Sequence, residues 1–503
     1  MIDDIPLGHH PLKARRLGIE TLHEAHVFMR KDCPVCKSEG FTSHNRVLVS
    51  YGDHSVVATL YQVTPDLLEC DEAGISEWAW NYLGLTPGAR VSVSHPPPLE
   101  SMSQVRSKVY GHRLGAHGFD TIIKDVEARN YSNIQLAAFV TACASQDLDL
   151  SEMRGLTEAM VNAGERLTWD KRPIVDKHSV GGLPGNRTTP ILVEIVAAAG
   201  LTIPKTSSRA ITSPSGTADM METLTPVDLD IPSMRRVVEQ EGGCVVWGGS
   251  VRLSPTDDIL IGVERVLDLD AEGQLVASIL SKKIAAGSTH LVLDLPVGPT
   301  AKVRSHEAAK SLSHSLVRVA HEFGIEARAV LSDGEQPVGR GIGPALEARD
   351  VLSVLKNEAR APEALRAHAH LLAGHLLELG GIANGRMMAA ESLASGKAWD
   401  KFQRIGEAQG GMREPPVAPY THTVSADRAG IVDRIDNRRL SKVAKLAGAP
   451  DDKAAGLEIH VRIGARVDEG EPVYTIHAQS PGELNYALGF ARVNHDIVGI
   501  AIG

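Results

Sequence analysis

Hydrophobic positions change their spacing several times along the chain, and each change marks a different kind of element. Arg46 to Tyr51 (RVLVSY) and Ser55 to Tyr61 (SVVATLY) alternate apolar and polar residues around Gly52-Asp53, the pattern of a hairpin in a half-buried sheet. The stiff His95-Pro96-Pro97-Pro98 closes that segment, so residues 1–95 read as a small β-rich domain. From about Leu99 the period becomes helical, with Ser132 as N-cap before Ile134 to Ala144 and a further run through Leu156 to Leu167. Residues 96–170 therefore read as a helical domain.

After Pro173, strands and helices alternate. Thr189 to Ala199 is helical with Gly200 as its stop, Leu201 to Pro204 is extended, and Ala277 to Ala286 is helical before Gly287. His290 to Leu295 (HLVLDL) and Ala327 to Leu331 (ARAVL) read as buried strands on either side of the helical stretch Ser305 to Phe323. Such alternation predicts an α/β domain over 171–415 with a largely parallel sheet. Helices from Pro344 and Pro362 are expected to return to the earlier helical region. Beyond the linker Pro415 to Pro419, strands at Gly430 to Ile435, Leu457 to Val461 and Val473 to His477 flank a helix at Arg438 to Ala447. Residues 420–503 are thus a compact α+β domain.

A chain of 503 residues exceeds one ordinary core, since single domains rarely pass about 250 residues. With aromatics at 4% against 43% hydrophobic residues overall, the cores must be built from Ala, Val, Ile and Leu. A formal charge of -10 argues against a nucleic-acid surface, while leaving local anion sites open. Met1 to His10 carries acids and no apolar run, and no stretch of about 18 apolar residues occurs. The expectation is a cytoplasmic protein with no membrane partner. Five cysteines cannot frame so long a chain with disulfides. Cys33 and Cys36 form a CxxC pair in what reads as a surface loop, with His44 and His54 as the nearby candidates for a metal. Cys70, Cys143 and Cys244 read as small core residues, and no metal site is expected.

Asp176-Lys177-His178-Ser179-Val180-Gly181-Gly182-Leu183-Pro184-Gly185 follows an extended Arg172 to Val175 and precedes a helix. Glycines let backbone N–H groups turn inward, the helix adds its positive end, and Lys177 and Ser179 add a charge and a hydroxyl, which suits a small dianion. Taken alone the segment also reads as a glycine-rich connector, and His178 as a structural histidine. A second loop, Lys205 to Asp219, follows the next strand and offers Ser208, Arg209, Thr212, Ser213 and Thr217 among its many hydroxyl and basic groups. Two such loops at successive strand ends converge where ligands collect in open α/β sheets. The third element runs from Arg265 through Asp270 to Ser278 and Lys282, the last two four apart and on one helical face. By itself that pair is a hydroxyl near a helix start and a solvated lysine. His368, His370 and His375 share one helical stretch, but 368 and 370 do not share a face, so no metal is expected there.

Together the three elements resemble the pyrimidine and thymidine phosphorylase family, most closely its long-form branch that includes AMP phosphorylase. The likeness covers roughly residues 100–503, with further agreement at Val246-Trp247-Gly248-Gly249, Asp294 to Lys302 (DLPVGPTAK), Gly343 to Ala348 and Lys397-Ala398-Trp399. It implies a helical domain plus a large α/β domain of the nucleoside phosphorylase class II-like kind, with the first 95 residues as the long form's extra domain. It implies phosphorolysis of an N-glycosidic bond, with inorganic phosphate as co-substrate, no other cofactor, and a homodimer or higher homo-oligomer.

By the same resemblance, phosphate sits on Lys177, Ser179, Gly181, Gly182 and Thr217, and His178, Arg265, Ser278 and Lys282 face the leaving base. In the AMP phosphorylase branch the proton donor falls on Asp270, and Ser208, Arg209, Ala210, Ile211, Thr212, Ser213, Ser278 and Lys302 match nucleotide-contacting positions. Where the short form carries His-Thr-Gly-Gly, this chain has Ser213-Pro214-Ser215-Gly216, and its Arg265-to-Ser278 spacing differs by two residues. The rival readings are a transferase like anthranilate phosphoribosyltransferase, which uses diphosphate and Mg²⁺, and a non-catalytic nucleotide sensor.

Overall fold

The computed structural model describes residues 11–21, 24–210, 213–269 and 271–501. Ile211, Thr212, Asp270 and the segment Met1 to His10 therefore lie outside the described residues. The chain divides into two compact units, Met1–His112 with Thr121–Phe139, and Arg113–Asp120 with Val140–Gly503.

The first unit is built on six strands: β1 (Leu12–Arg16), β2 (His26–Arg30), β3 (Arg46–Tyr51), β4 (His54–Val63), β5 (Glu72–Ile75) and β6 (Arg90–Ser94). They close into a barrel in the order β1-β5-β2-β4-β3-β6, with β6 returning to β1. The hairpin expected from the alternating pattern is β3–β4, turning at Gly52-Asp53. Its inward positions Val47, Val49, Val56, Ala58 and Leu60 meet Val27, Met29 and Ile75 in the barrel core. Cys33 and Cys36 belong to that core, which corrects the surface-loop reading. The short helix Pro34–Ser38 turns them and Val35 inward among apolar neighbours. Cys143 and Cys244 are buried as expected, whereas Cys70 is half-exposed.

The second unit carries β7 (Val175–Ser179), β8 (Ile203–Ser207), β9 (Gly243–Trp247), β10 (His290–Val297) and β11 (Glu326–Asp333). All their pairings are parallel, in the orders β11-β10-β7 and β8-β9, joined by a bridge between Ile174 and Thr202. The near-continuous apolar run of β10 follows from burial on both faces. Thr189–Ala198 is buried all round because it packs against β8 and β9 on one side and the helices Pro344–Leu355, Glu363–Leu379 and Lys397–Gln409 on the other. The helix expected at Leu156 to Leu167 is instead Leu150–Asn162, fixed early by a capping box between Asp149 and Glu152. Glu272–Ala285 likewise begins before the expected Ala277.

Two strands run further than the sequence suggests. Pairing of Lys177, His178 and Ser179 with Val292, Leu293 and Asp294 makes them strand residues, so the glycine loop starts only at Val180. Lys205 to Ser207 are held the same way, by Val245 to Trp247. In the C-terminal part, β12 (Gly341–Ile342), β13 (Tyr420–Ser425), β15 (Gly456–Ile459) and β17 (Pro472–Ala478) form one sheet in the order β12-β15-β17-β13. The strands β14 (Gly430–Ile435), β16 (Arg466–Val467) and β18 (Val498–Ala501) form the other. Buried Asn437 donates to Thr300 Oγ1 and the Gly334 carbonyl, both at 3.1 Å, tying this domain to the ends of β10 and β11. No helix among the described residues is long and apolar enough to cross a membrane.

Within Thr189–Ala198, Glu194 is fully buried, and among the described residues neither carboxylate oxygen has a hydrogen-bond partner. Burial pushes its carboxyl well above the usual value of 4.5, so the folded state holds the proton more tightly than the unfolded chain. Stability is then lost as pH rises above 4.5 toward the folded value. Glu194→Leu is expected to stabilise the protein at pH 8 by on the order of 1–3 kcal/mol, with the gain shrinking toward pH 4. Thermal melts of both proteins across that range check it, and a difference independent of pH would contradict it.

Candidate active site

Strand β7 presents alternate side chains to opposite sides, so Lys177 and Ser179 share one face and Asp176 and His178 the other. On the first face the fully buried Lys177 Nζ donates to Thr188 Oγ1 at 2.8 Å and to Ser179 Oγ. Ser179 Oγ donates onward to Asp294 Oδ2 at 2.6 Å. Asp294, wholly buried on β10, also accepts from Asn186 Nδ2 at 3.1 Å and from Ser332 Oγ at 2.6 Å, and pairs with His368 Nε2 at 3.1 Å. Burial alone would raise its pKa, but His368, Lys177 and the Ser179 hydroxyl hold it well below the usual carboxylate range. Lys177 is lowered to about 8 by burial and the nearby charges of Arg187 and Lys283, against the pull of Asp294.

On the second face, Asp176 Oδ2 accepts from Lys283 Nζ at 2.9 Å and Ser288 Oγ at 3.3 Å, while Lys205 Nζ lies 3.6 Å from Oδ1. Lys205 and Lys283 hold Asp176 ionised despite its burial. Burial lowers Lys205 to about 7 in turn. Burial and the charges of Lys283, Lys205, Lys282 and Lys177 push His178 well below 6.5. Its imidazole is neutral at pH 7, able to offer one N–H but not an imidazolium proton. Lys282 Nζ sits 2.5 Å from Asp257 Oδ2 and is a quarter exposed, with Ser278 one turn before it on Glu272–Ala285. Arg265 is exposed in the last turn of Pro255–Leu267, where its charge acts on Lys445.

Gly181 and Gly182 are exposed at the end of β7, and a side chain on Gly181 would meet open space. Gly182 has φ +96°, and a Cβ there would come within 3.1 Å of the Lys302 backbone nitrogen. Lys302 therefore stands directly against the glycine loop. In the second loop Ser208 is exposed, and Arg209 is engaged by Glu222 through two 2.8 Å hydrogen bonds and stacks 4.9 Å from the Trp247 ring centroid. Asp219 Oδ2 collects the N–H groups of Ala210 at 2.6 Å and Gly216 at 2.9 Å. Ser213 Oγ donates to the Ser215 carbonyl at 2.9 Å, and Thr217 opens the helix Thr217–Glu222. Gly216 is required there, because a Cβ would lie 2.4 Å from the Ser208 carbonyl oxygen.

The structure thus gathers Lys177, Ser179, Gly181, Gly182 and Lys302 at one strand end, with His178 behind them, and leaves Arg265 at the far end of its helix. Asp176, Asn186, Thr188, Asp257, Lys283, Asp294, Ser332 and His368 carry no site role in the sequence reading; Thr188, Asp294 and Asp257 contact Lys177, Ser179 and Lys282 directly, while Asn186, Ser332 and His368 brace Asp294 and Lys283 pairs with Asp176. For Asp294 there was a signal: an acid inside the apolar run His290 to Leu295. Among the described residues no group of three or more His, Cys, Asp or Glu side chains is placed to hold a metal ion, and His368 pairs instead with Asp294.

Three comparisons bear on this site. Residues 104–164 match the helical bundle domain of a glycosyl transferase family, 171–399 its a/b domain, and 431–497 the pyrimidine nucleoside phosphorylase C-terminal domain. A protein from Acidovorax sp. (strain JS42) named "Putative thymidine phosphorylase 1" is 59% identical over 97% of this chain and 96% of its own. One named "Putative thymidine phosphorylase", from Polaromonas sp. (strain JS666 / ATCC BAA-500), is 58% identical over 98% and 97%. Among solved structures, anthranilate phosphoribosyltransferase from Thermus thermophilus superposes with a TM-score of 0.51 at 21% identity, covering 61% of this chain and 99% of that one. That likeness establishes a shared fold.

If Lys177 is the anion-binding cation, affinity for phosphate must follow its proton. Affinity for inorganic phosphate is expected to fall as pH rises through about 8, the value at which Lys177 loses its charge. In Asp294→Asn, which removes the carboxylate that favours the ammonium form, the same fall is expected at lower pH. Titration of phosphate binding against pH reads both, and coincident profiles for the two proteins would contradict the assignment.

Proposed function

The chain belongs to the thymidine and pyrimidine nucleoside phosphorylase family, and we propose that Lys177, Ser179 and the Gly181-Gly182 loop hold the phosphate of its reaction. The reaction is phosphorolysis of a nucleoside in the manner of a thymidine phosphorylase, a pentosyl transfer that yields free base and a pentose 1-phosphate. For thymidine the products are thymine and 2-deoxyribose 1-phosphate. The observation that carries the phosphate assignment is the buried Lys177, aimed with Ser179 at the open end of β7 and braced by Thr188 and Asp294.

Phosphate held there, with Thr217 as a further ligand, attacks C1′ while the bond to the base lengthens through an oxocarbenium-like transition state. Positive charge at C1′ is flanked by the phosphate oxygens, and negative charge grows on the departing base. His178, Ser278 and Lys282 meet that base. Neutral His178 serves as a hydrogen-bond donor to the developing anion, and Lys282, fixed by Asp257, supplies positive charge. Phosphate is the co-substrate and no other cofactor enters this scheme. With it go a cytoplasmic location, a role in nucleotide salvage and a homodimeric or larger assembly.

A second reading, phosphorolysis of a nucleoside 5′-monophosphate such as AMP, is favoured by one feature. Lys302 abuts the glycine loop, where its ammonium can reach a 5′-phosphate, with Ser208 to Ser213 as partners and Asp270 as proton donor. Incubation of wild type and Lys302→Ala with phosphate and thymidine, AMP, CMP or UMP separates the two. Phosphate-dependent release of thymine from thymidine is expected, unaffected by Lys302→Ala. Faster turnover of a 5′-monophosphate, lost selectively in Lys302→Ala, would transfer the assignment to the second reading. No base release from any substrate would overturn both.

A further inference from the structure

The CxxC pair in the barrel has no part in phosphorolysis. Cys33 caps the helix Pro34–Ser38, and its Sγ accepts the backbone N–H of Cys36 at 3.2 Å. That contact and the single helical turn between them place the two cysteines side by side. Both are free thiols, and no metal-ligating cluster forms around them among the described residues. They are 0% and 3% exposed, although Lys31, Asp32, Pro34 and Lys37 beside them are exposed. The pair is thus buried in the barrel core with exposed neighbours along the chain on either side.

We propose that Cys33 and Cys36 form a hydroperoxide-reactive dithiol, with Cys33 as attacking thiol and Cys36 as resolving thiol. The Cys33 sulfur attacks one oxygen of hydrogen peroxide, the O–O bond breaks, and the leaving hydroxide takes up a proton as water. Cys33 is left as a sulfenic acid. The Cys36 sulfur then gives up its proton and attacks the Cys33 sulfur, the S–O bond breaks, and a second water leaves as the disulfide closes. Two thiols lose two electrons and one peroxide gains them.

The direction of attack follows from the hydrogen bonds. The Cys36 backbone N–H, 3.2 Å from the Cys33 sulfur, favours the thiolate there; contact with Cys36 thus lowers Cys33 against the opposing effect of burial, and the same contact raises Cys36. Burial decides the class of oxidant, since a small uncharged peroxide can penetrate to sulfurs of this exposure and a bulky anionic disulfide cannot.

The full-length reduced protein, treated at neutral pH with one equivalent of hydrogen peroxide, is the test. Two of its five thiols are expected to disappear, with the peptide carrying residues 33 and 36 lighter by two hydrogens. Reaction there should run roughly tenfold or more ahead of that at half-exposed Cys70, as expected where a hydrogen bond favours the thiolate. Cys36→Ser should stop at a sulfenic acid on Cys33, trapped by dimedone once the peroxide-treated protein is unfolded, and Cys33→Ser should leave Cys36 unreacted. Oxidation beginning at Cys70, an adduct absent from Cys33 in Cys36→Ser, or oxidised glutathione acting as fast as peroxide would each overturn the proposal. The wild-type mass shift stands whether or not a variant folds.

Discussion

A carboxylate sealed from water inside a parallel sheet is stable only if donors surround it, and the active end of this protein is organised by that requirement at Asp294. Ser179, Asn186, Ser332 and His368 come to it from four different segments, and Lys177 reaches it through the Ser179 hydroxyl. Each of these groups is thereby fixed relative to the others. Lys177 gains most, because an ammonium buried beside Arg187 and Lys283 would otherwise be driven further toward its neutral form. The Asp294 charge keeps the cation available to an incoming anion.

The period of a β-strand then divides the labour. Neighbouring residues of β7 face opposite ways, so three consecutive positions can serve an anion on one side and a leaving group on the other. The second side repeats the arrangement of the first with the signs distributed differently: Asp176 is surrounded by Lys205 and Lys283, and burial together with this positive charge pushes His178 well below its usual value. Under the proposed reaction, that positive charge favours a departing anionic base.

Much of the architecture was legible from periodicity. The β3–β4 hairpin, the parallel α/β alternation and the C-terminal α+β domain all follow from where apolar residues recur. Strand ends were not, since polar Lys177-His178-Ser179 and Lys205-Thr206-Ser207 look like loop and are strand through pairing with distant neighbours. Cys33 and Cys36 were misplaced for a related reason: barrel closure, a long-range event, turns a polar-flanked segment inward. In the site, the residues proposed to bind ligands carry short sequence motifs, but those that brace them do not. Asp257, Thr188 and His368 are scattered over the chain and acquire meaning only when the fold brings them to Lys282, Lys177 and Asp294.

The central claim is that phosphate, and not water, attacks the sugar at the open end of β7. Turnover of thymidine with phosphate labelled fully in ¹⁸O, followed by ³¹P NMR and mass analysis of the sugar product, addresses it directly. Phosphorolysis at this site predicts a pentose 1-phosphate that retains all four labelled oxygens, the bridging one included. Release of thymine at the same rate without phosphate, with the sugar oxygen drawn from water, would contradict the account.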